Sequence, residues 1–426
     1  MQAVILTGGK GTRLGDLVKD IPKPLIKIGN KPVVEHQILL LKDYNIKKVW
    51  ILAGYLGEKI KDYLGNGERY GLEINYLQEE EPLGTAGAFK TLKDKITDDF
   101  LLLYGDVMLD FDIEKFINWH INKKESICSM FVHPNDHPAD SDLVEVDNDK
   151  VTAILPKPHT SNYHNLAAAT TYIFSPKVFD YIEGKTDIGR DIMPLLIESG
   201  SVYAYNSPEY MKDMGTIERL AEVRKDYESG RINRSNKRKA IFLDRDGVIN
   251  KEVNQLNKIE DFELLDSVPE AIRKMNEDYL VVVITNQPVI ARGLLTEKGL
   301  DEIHKKMETE LGNKRAKIDR IYYCPHHPDK GFDGEVPELK INCDCRKPEI
   351  GLIKKAEKDL NIDLEGSFFI GDATRDAKTA ENAGIRFIGV ATGYGCQDGK
   401  YEVNKFPIYS NLLEAYDKEI HQKTIK

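Results

Sequence analysis

Short apolar runs alternate with longer amphipathic segments along this 426-residue chain. The apolar runs are rich in β-branched residues and too short for helices, so they predict buried strands of parallel sheets. The predicted strands are Ala3–Leu6, Lys48–Leu52, Phe100–Tyr104, Ala240–Leu243, Leu280–Thr285 and Ser367–Ile370. The predicted helices are Val33–Tyr44, Asp112–Lys123, Ile217–Glu228, Val268–Asp278 and Ile350–Leu360. This alternation predicts an α/β fold with right-handed crossovers, in two successive sheets.

A polar and basic stretch interrupts the alternation at residues 229–238. It follows a predicted helix and precedes a predicted strand, as a solvated linker between domains does. The chain is also longer than one ordinary core requires. We therefore predict domains at 1–228 and 239–426. A nucleic-acid patch is the alternative for the stretch, and the net charge of −10 disfavours it.

No apolar run reaches the roughly 18 residues that a membrane span needs. The segment Met1–Leu6 lacks the basic region and cleavage site of a signal peptide. The sequence therefore predicts a cytoplasmic protein that binds neither nucleic acid nor membranes, and it leaves open whether the chain forms a homo-oligomer.

A glycine-rich turn follows the first predicted strand. Gly8, Gly9 and Gly11 let successive backbone N–H groups approach phosphate oxygens, because no Cβ atom stands in the way. The motifs that follow are Thr12-Arg13, Pro22-Lys23-Pro24, Glu81-Pro82-Leu83-Gly84-Thr85-Ala86-Gly87 and Tyr104-Gly105-Asp106. In this order they resemble the sugar-1-phosphate nucleotidyltransferases, which include mannose- and heptose-1-phosphate guanylyltransferases, over roughly residues 1–225.

That resemblance implies a Rossmann-like, glycosyltransferase-A-like sheet and nucleotidyl transfer to a sugar phosphate with release of pyrophosphate. Arg13 and Lys23 would oppose the charge of the triphosphate, and Asp106 with Asp213 would bind Mg²⁺. The alternatives are a solvated loop lysine for Lys23 and a helix N-cap for Asp213. The implied nucleotide-binding residues are Leu6, Gly8, Gly9, Gly11, Thr12, Arg13, Lys23, Gln78, Gly84, Thr85 and Asp106.

The acceptor half departs from this family. Ser141-Asp142, Pro156-Lys157-Pro158 and Ala168-Ala169-Thr170 stand where relatives usually have Tyr-Gly, Glu-Lys-Pro and Asn-Ala-Gly. Lys157 is still expected to contact the acceptor phosphate. Two interpretations remain open: the acceptor is a smaller or open-chain polyol phosphate, or the pocket has drifted and still takes a sugar.

A second group of motifs begins at Asp244-x-Asp246, which ends a predicted strand. Thr285-Asn286-Gln287, Arg346-Lys347-Pro348 and Gly371-Asp372-Ala373-Thr374-Arg375-Asp376 follow in order. One carboxylate can attack phosphorus, which splits hydrolysis into two easier steps, while another acts as general acid and then as base. These motifs match the haloacid-dehalogenase-like phosphatases, a Rossmannoid fold, and the short interval before Thr285 predicts a minimal cap.

The match assigns a role to each residue. Asp244 would be the nucleophile, Asp246 the acid/base, and Thr285 and Lys347 would stabilise the phosphoryl oxygens. Asp372, with Asp244 and the carbonyl of Asp246, would hold Mg²⁺. Asp376 is a further candidate ligand, and its alternative is an ordinary surface residue on the following helix.

Three of the five cysteines lie in Cys324-Pro-His326 and Cys343-Asp-Cys345. In a reducing compartment these four side chains predict a tetrahedral structural Zn²⁺ site rather than disulfides, with buried free thiols as the alternative. His327 is expected at the surface, as no more than a spare ligand.

This loop, with Asn286-Gln287 and Ala291-Arg292-Gly293, resembles the heptose-1,7-bisphosphate 7-phosphatase and histidinol-phosphate phosphatase branch. Pro288-Val289 replaces the Ser-Gly that is common in relatives. The expected substrate contacts are Lys157, Asn286, Gln287, Arg292 and Arg346.

Together these motifs predict a bifunctional enzyme of nucleotide-sugar synthesis. One domain would remove a phosphate from D-glycero-D-manno-heptose 1,7-bisphosphate, and the other would form GDP-heptose from GTP. The first alternative is a cytidylyltransferase that makes a CDP-polyol, such as CDP-glycerol, from CTP. A histidinol-phosphate phosphatase would leave the first domain unexplained. In the last alternative, one domain is an inactive binding or scaffold module.

Overall fold

A computed structural model describes residues 1–9, 12–54, 56–78 and 83–421, without the side chains of residues 12, 16 and 17. The strands are β1 Gln2–Leu6, β2 Lys27–Ile28, β3 Lys31–Pro32, β4 Lys48–Ala53, β5 Glu73–Gln78, β6 Phe100–Tyr104, β7 Val107–Asp110, β8 Cys128–Pro134, β9 Leu143–Asp147, β10 Lys150–Leu155, β11 Leu166–Phe174, β12 Val202–Asn206, β13 Tyr210–Asp213, β14 Ala240–Leu243, β15 Leu280–Asn286, β16 Arg320–Cys324, β17 Phe368–Gly371, β18 Arg386–Val390 and β19 Ile408–Tyr409. The α-helices are α1 Val33–Asp43, α2 Gly57–Leu64, α3 Gly84–Lys90, α4 Ile113–Ile121, α5 Met193–Glu198, α6 Ile217–Glu228, α7 Val268–Met275, α8 Pro288–Ala291, α9 Glu297–Gly312, α10 Gly351–Leu360, α11 Thr374–Ala383 and α12 Leu412–Tyr416.

The chain divides into two compact units. The first consists of Met1–His133, Val144–Leu155 and Ala168–Asn236, and the second of Pro134–Leu143, Pro156–Ala167 and Lys237–Lys426. Two short segments from the first half of the sequence therefore belong to the second unit. The domain limits 1–228 and 239–426 stay a prediction.

The first unit is built on a mixed sheet with the strand order β5-β4-β1-β6-β11-β8-β12-β10-β9. Strands β5, β4, β1 and β6 pair in parallel, whereas β11 runs antiparallel to β6. Ala3, Val4 and Ile5 of β1 are fully buried, so both faces of this strand are covered. The carboxyl ends of β1, β4 and β6 meet at one edge of the sheet.

The second unit is built on a parallel sheet with the order β16-β15-β14-β17-β18-β19. Strand β14 pairs with β15 on one side and with β17 on the other. The carboxyl ends of these three strands are neighbours, and the motifs at Asp244, Thr285 and Asp372 lie there. The topology thus brings together side chains that are far apart in the sequence.

All the predicted strands and helices are present, with ends displaced by at most three residues, and the predicted α/β class is confirmed. Helix α9 was not among the predicted elements. It begins after Thr296, whose hydroxyl accepts a hydrogen bond from the N–H of Gly299, and runs for 16 residues.

Candidate active sites

The predicted nucleophile of the second unit lies at the end of its central strand. Asp244 directly follows β14 and is only 6% exposed. The Nζ atom of Lys347 lies 2.8 Å from Asp244 Oδ2 and 2.6 Å from Asp376 Oδ1. Burial alone would lower the pKa of Lys347, but these two carboxylates raise it above its usual value. Lys347 is therefore a fixed cation beside the predicted nucleophile.

Three buried carboxylates, those of Asp244, Asp372 and Asp376, each place an oxygen within 4.8 Å of the others. Burial and the neighbouring carboxylates raise the pKa of Asp372 and Asp376. Among the described residues, Asp372 Oδ1 has no hydrogen-bond partner. A divalent cation would relieve this repulsion and use the free oxygen, so the cluster fits the predicted metal site.

The backbone closes tightly around Asp372. Gly247 has φ 82° and Gly393 has φ 57°. A Cβ atom at these positions would lie 2.2 Å and 2.0 Å from Asp372 Oδ2. The N–H of Tyr394 donates to the same oxygen at 2.8 Å. Both glycines are therefore needed for the chain to reach this carboxylate.

The predicted acid/base, Asp246, is held by a network of donors. The buried Arg245 guanidinium donates to both of its oxygens at 2.9 Å. Asn250 Nδ2 donates to Oδ1 at 3.0 Å, and Gln287 Nε2 donates to Oδ2 at 2.9 Å. Burial would raise the pKa of Asp246, but Arg245 and these hydrogen bonds lower it. The carboxylate is thus held as an anion in a fixed orientation.

The side chains after β15 connect the site to the lysine loop. Asn286 Nδ2 donates to the carbonyl of Lys347 at 3.2 Å, and the N–H of Lys347 donates to Asn286 Oδ1 at 3.0 Å. Thr285 is buried, and its hydroxyl accepts a hydrogen bond from Gln287 Nε2 at 2.9 Å. Asn286 and Gln287 therefore orient other site residues.

Three arginines flank this site. Arg346 directly precedes Lys347, and Arg375 directly precedes Asp376. Burial and the charges of Arg375 and Arg292 lower the pKa of Arg346, so the three cations lie near one another. None of them forms an ion pair with a carboxylate in the described part of the chain. The Nε atom of Arg292 is buried and finds no hydrogen-bond partner among the described residues. A group of half-buried guanidinium groups of this kind suits an anionic ligand.

The predicted zinc ligands form one cluster. Cys345 Sγ lies 3.2 Å from the sulfurs of Cys324 and Cys343 and 3.2 Å from His326 Nδ1, and the Cys324 and Cys343 sulfurs are 3.6 Å apart. Ligands of a tetrahedral zinc ion would lie about 3.5–3.8 Å apart, so these atoms fit it closely. The cysteines are free thiols. Arg346 Nη1 donates to the carbonyl of His326 at 3.2 Å, which ties the cluster to the lysine loop.

In the first unit, a cavity of about 360 Å³ opens where β1, β4 and β6 end. Seven of the predicted nucleotide-binding residues line it: Leu6, Gly8, Gly9, Lys23, Gly84, Thr85 and Asp106. Asp187 also lines it and accepts a hydrogen bond from the Thr85 hydroxyl at 2.7 Å. No sequence motif points to Asp187, because it lies 102 residues from Thr85.

A lysine–carboxylate pair lies in the wall of this cavity. Lys23 is buried, and its Nζ is 3.1 Å from Asp106 Oδ2, so the solvated-loop alternative for Lys23 is wrong. Strand β13 ends at Asp213, opposite Val107, which places Asp213 near Asp106 along the backbone. Burial would raise the pKa of Asp213, but Arg219 and, to a smaller extent, Arg13 lower it below its usual value.

Comparison with known proteins identifies both halves. The family model of nucleotidyl transferases matches residues 2–230, and that of HAD-like hydrolases matches residues 344–415. The chain is 45% identical over 161 residues to D-glycero-alpha-D-manno-heptose-1,7-bisphosphate 7-phosphatase of Photorhabdus laumondii, covering 37% of this chain and 86% of that protein. It is 41% identical over 157 residues to the D-glycero-beta-D-manno-heptose-1,7-bisphosphate 7-phosphatase of Escherichia coli K12, covering 36% and 80%.

The chain belongs to the nucleotidyl transferases and to the family of these 7-phosphatases. The crystal structure of HddC from Yersinia pseudotuberculosis is similar, with a TM-score of 0.47 and 28% identity over 53% of this chain and 99% of that one. The family model and the related 7-phosphatases confirm the predicted combination of a transferase and a phosphomonoesterase in one chain.

In the nucleotidyl transferase half, two predicted nucleotide contacts lie outside the cavity lining, and two others lie outside the described residues. Gly11 and the side chain of Thr12 lie outside the described residues, as does the Glu81-Pro82 part of its motif. Gln78 is exposed at the end of β5, and Arg13 lies beside Gly215 and Asp213. The N-cap alternative for Asp213 is wrong, because Thr216 occupies that position and accepts from the N–H of Arg219.

Lys157, the predicted acceptor contact, belongs to the second unit, where its Nζ donates to the carbonyl of Asp140 at 2.5 Å. Its contact with an acceptor phosphate stays a prediction.

In the phosphatase half, the structure corrects two expectations. Asp376 is fully buried against Lys347, so the surface alternative for it is wrong. Its carboxylate points inward because it lies in the first turn of α11, directly behind β17. His327 is also buried, at 8% exposed, and its Nδ1 accepts from the N–H of Asp329. Its surface assignment is therefore wrong.

Four site residues were not predicted from the sequence: Arg245, Asn250, Arg375 and His304. Arg245 lies between Asp244 and Asp246, where strand alternation would turn it away from them. The sequence alone does not reveal that this arginine is buried next to carboxylates.

No helix in the described ranges combines the length and the apolar character needed to cross a lipid bilayer.

Proposed function

We propose that the phosphatase half removes one phosphate from a heptose 1,7-bisphosphate and that the transferase half joins the resulting heptose 1-phosphate to a nucleotide, releasing pyrophosphate. The names of the related 7-phosphatases support this substrate. The observation that carries the proposal is the group of Arg292, Arg346 and Arg375 beside the nucleophile. The carboxylates of Asp244, Asp372 and Asp376 lie near Arg375, but Arg292 Nε is buried without a hydrogen-bond partner among the described residues. A second phosphate on the substrate would supply that partner.

In the phosphatase reaction, Asp244 attacks the phosphorus and forms an aspartyl phosphate, and Asp246 protonates the departing sugar oxygen. Asp246 then removes a proton from the water that cleaves the intermediate. Lys347 and Thr285 stabilise the phosphoryl oxygens. Mg²⁺ held by Asp244, Asp372, Asp376 and the carbonyl of Asp246 would screen the anionic nucleophile from its anionic substrate.

In the transferase reaction, the backbone of Gly8 and Gly9 binds the triphosphate and Lys23 opposes its charge. Asp106 and Asp213 are the proposed Mg²⁺ ligands there. We assign guanine as the base from the resemblance to heptose-1-phosphate guanylyltransferases. A structural Zn²⁺ at Cys324, His326, Cys343 and Cys345 completes the metals. The cluster needs reduced thiols, which supports a cytoplasmic location.

The CDP-polyol alternative is favoured by one observation. Thr170 has φ 49°, a conformation that is strained for a β-branched residue, where relatives usually have glycine. An acceptor site changed at this point suits a smaller acceptor.

Two assays test the proposal. Phosphate release is measured with heptose 1,7-bisphosphate and with heptose 7-phosphate, and we expect kcat/KM to be about 10–100-fold higher for the bisphosphate, because charged hydrogen bonds contribute about 1.5–3 kcal/mol. Arg292→Met should remove most of that preference. Equal rates on both sugars would contradict the assigned role of the arginines.

Pyrophosphate release is measured for GTP, CTP and UTP with heptose 1-phosphate and with glycerol 3-phosphate. We expect product only from GTP and the heptose, and CTP with glycerol 3-phosphate would select the alternative. As a control, Asp244→Asn should abolish phosphate release and leave pyrophosphate release unchanged.

A further inference from the structure

The second unit contains a segment that the family comparison places in the transferase. Pro156–Ala167 belongs to this unit, although it lies inside the residues 2–230 that match the nucleotidyl transferases. The segment packs on α9, the helix Glu297–Gly312. Because a family member without the phosphatase would have no such helix, this contact needs an explanation of its own.

One histidine anchors the segment through both ring nitrogens. His164 Nδ1 lies 2.6 Å from Glu308 Oε2, and Nε2 lies 2.9 Å from Asp301 Oδ1. Beside it, the N–H of Tyr163 donates to the hydroxyl of Thr309 at 2.9 Å. Burial would lower the pKa of His164, but the two carboxylates raise it to about 10. The imidazolium therefore joins two points of α9 that are seven residues apart.

The segment also packs closely against the carboxyl end of α9. A Cβ atom on Gly312 would lie 2.8 Å from Pro138 Cγ and 3.2 Å from the Tyr163 hydroxyl. The helix is thus fixed along two turns against this part of the chain.

Between these anchors, α9 carries His304, which faces the phosphatase site. Its Nε2 lies 3.4 Å from Arg245 Nη1. Burial and the charge of Arg245 lower the pKa of His304 to about 3, so the ring is neutral and accepts this hydrogen bond. Arg245 in turn donates to both oxygens of Asp246. A chain of direct contacts therefore runs from His164 through α9 to Asp246.

We propose that His164 is a positioning residue of the phosphatase reaction: it fixes α9, so that His304 and Arg245 hold Asp246 in the orientation for proton transfer. The segment Pro156–Ala167, which lies within the transferase sequence, then helps to position a residue of the phosphatase reaction. This inference rests on the acid/base role of Asp246 proposed above.

The test is a double-mutant cycle in the full-length chain with heptose 1,7-bisphosphate as substrate. His164→Gln keeps one hydrogen bond but removes the charge. General acid–base catalysis contributes about 10²–10⁴-fold in all, so partial loss of orientation should lower kcat about tenfold and leave KM unchanged. In an Asp246→Asn background, the same substitution should change kcat by less than about twofold, because the group it positions is absent.

His159→Gln is the matched control. His159 is in the same segment. Its Nε2 contacts the carbonyls of Pro138 and Ser141 and its ring packs on Tyr163, but it forms no hydrogen bond or ion pair with α9 among the described residues. We expect wild-type kcat for this variant. His304→Asn, which breaks the next link, should reproduce the loss seen with His164→Gln.

An equal loss in both backgrounds would mean general disruption and would overturn the inference. So would an unchanged kcat, or an effect on KM alone. Wild-type kcat in Asp246→Asn itself would instead refute the acid/base assignment under the proposed function. The two failures are therefore distinguishable.

Discussion

Replacing His164 by glutamine should destabilise the second unit in a way that depends on pH. The folded protein raises the pKa of His164 from 6.5 to about 10. A group that binds its proton more tightly in the folded state stabilises the fold fully below its unfolded pKa. That contribution is lost as pH rises through the folded pKa. The wild-type advantage over the variant should therefore be full at pH 6, decline above pH 6.5 and be nearly gone beyond pH 10.

The magnitude follows from the size of the shift. About 3.5 pKa units at 1.36 kcal/mol each give an upper bound of about 5 kcal/mol. The imidazole is 17% exposed, and Lys305 Nζ lies 3.5 Å from Asp301 Oδ2, where it offsets part of the lost charge. We therefore expect a measured difference of about 2–3 kcal/mol at pH 6, or about 5–10 °C in Tm for a unit of this size.

Differential scanning calorimetry of both proteins from pH 6 to 10 measures this difference. The two tryptophans, Trp50 and Trp119, both belong to the first unit, so tryptophan fluorescence supplies a separate record of that unit. His159→Gln should track the wild-type protein at every pH. A difference that stays constant or grows with pH would refute the argument, because it would show that the charge of His164 contributes nothing.

Three further changes test the sites directly. Gly393→Ala would place a Cβ 2.0 Å from Asp372 Oδ2. We therefore expect phosphate release to fall at least about a hundredfold while Tm changes little. A normal rate of phosphate release would contradict the assigned metal cluster. Cys343→Ser should lose bound zinc, measured by elemental analysis, and lower phosphate release while pyrophosphate release persists; full zinc content would contradict the ligand assignment. Lys23→Ala, which leaves Asp106 without its 3.1 Å partner, should lower pyrophosphate release about 10²–10³-fold and spare phosphate release; an unchanged transferase rate would remove Lys23 from the mechanism.

Sequence patterns predicted the central strands of both sheets well because these strands are short and almost completely buried. A run such as Ala240–Leu243 has no exposed face, so its apolar character is continuous and its position is readable. The same reasoning placed Asp244, Thr285 and Asp372 together, since parallel strands end at one edge. The catalytic motifs lie directly after such strands and are predictable for that reason.

The residues that hold those catalytic groups were harder to predict. Asp376 had a surface alternative because its position on a helix does not reveal which side of the helix faces the sheet. The structure shows that α11 is tightly packed, because a Cβ on Gly371 would lie 2.4 Å from Asp376 Cβ. Arg245 and His304 have no motif of their own, and their role comes from a contact between residues 59 positions apart.

His164 illustrates the limit most clearly. Its position in the sequence lies within the part that matches the nucleotidyl transferases, and only the folded chain shows that its partners are on α9. Under the proposals above, the phosphatase reaction would constrain which residue is tolerated at position 164, whereas binding of the transferase acceptor would constrain Lys157. If Pro156–Ala167 serves both reactions, substitutions there that alter the acceptor must also preserve the contacts of His164. We therefore expect changes of acceptor to be easier at Ala168–Thr170, which lie outside the second unit, than within the segment itself. Random mutagenesis of both stretches, screened for phosphate and pyrophosphate release in parallel, would measure this. Within the segment, substitutions of His164 should lower phosphate release and substitutions of Lys157 should lower pyrophosphate release, whereas variants of Ala168–Thr170 should lose only pyrophosphate release.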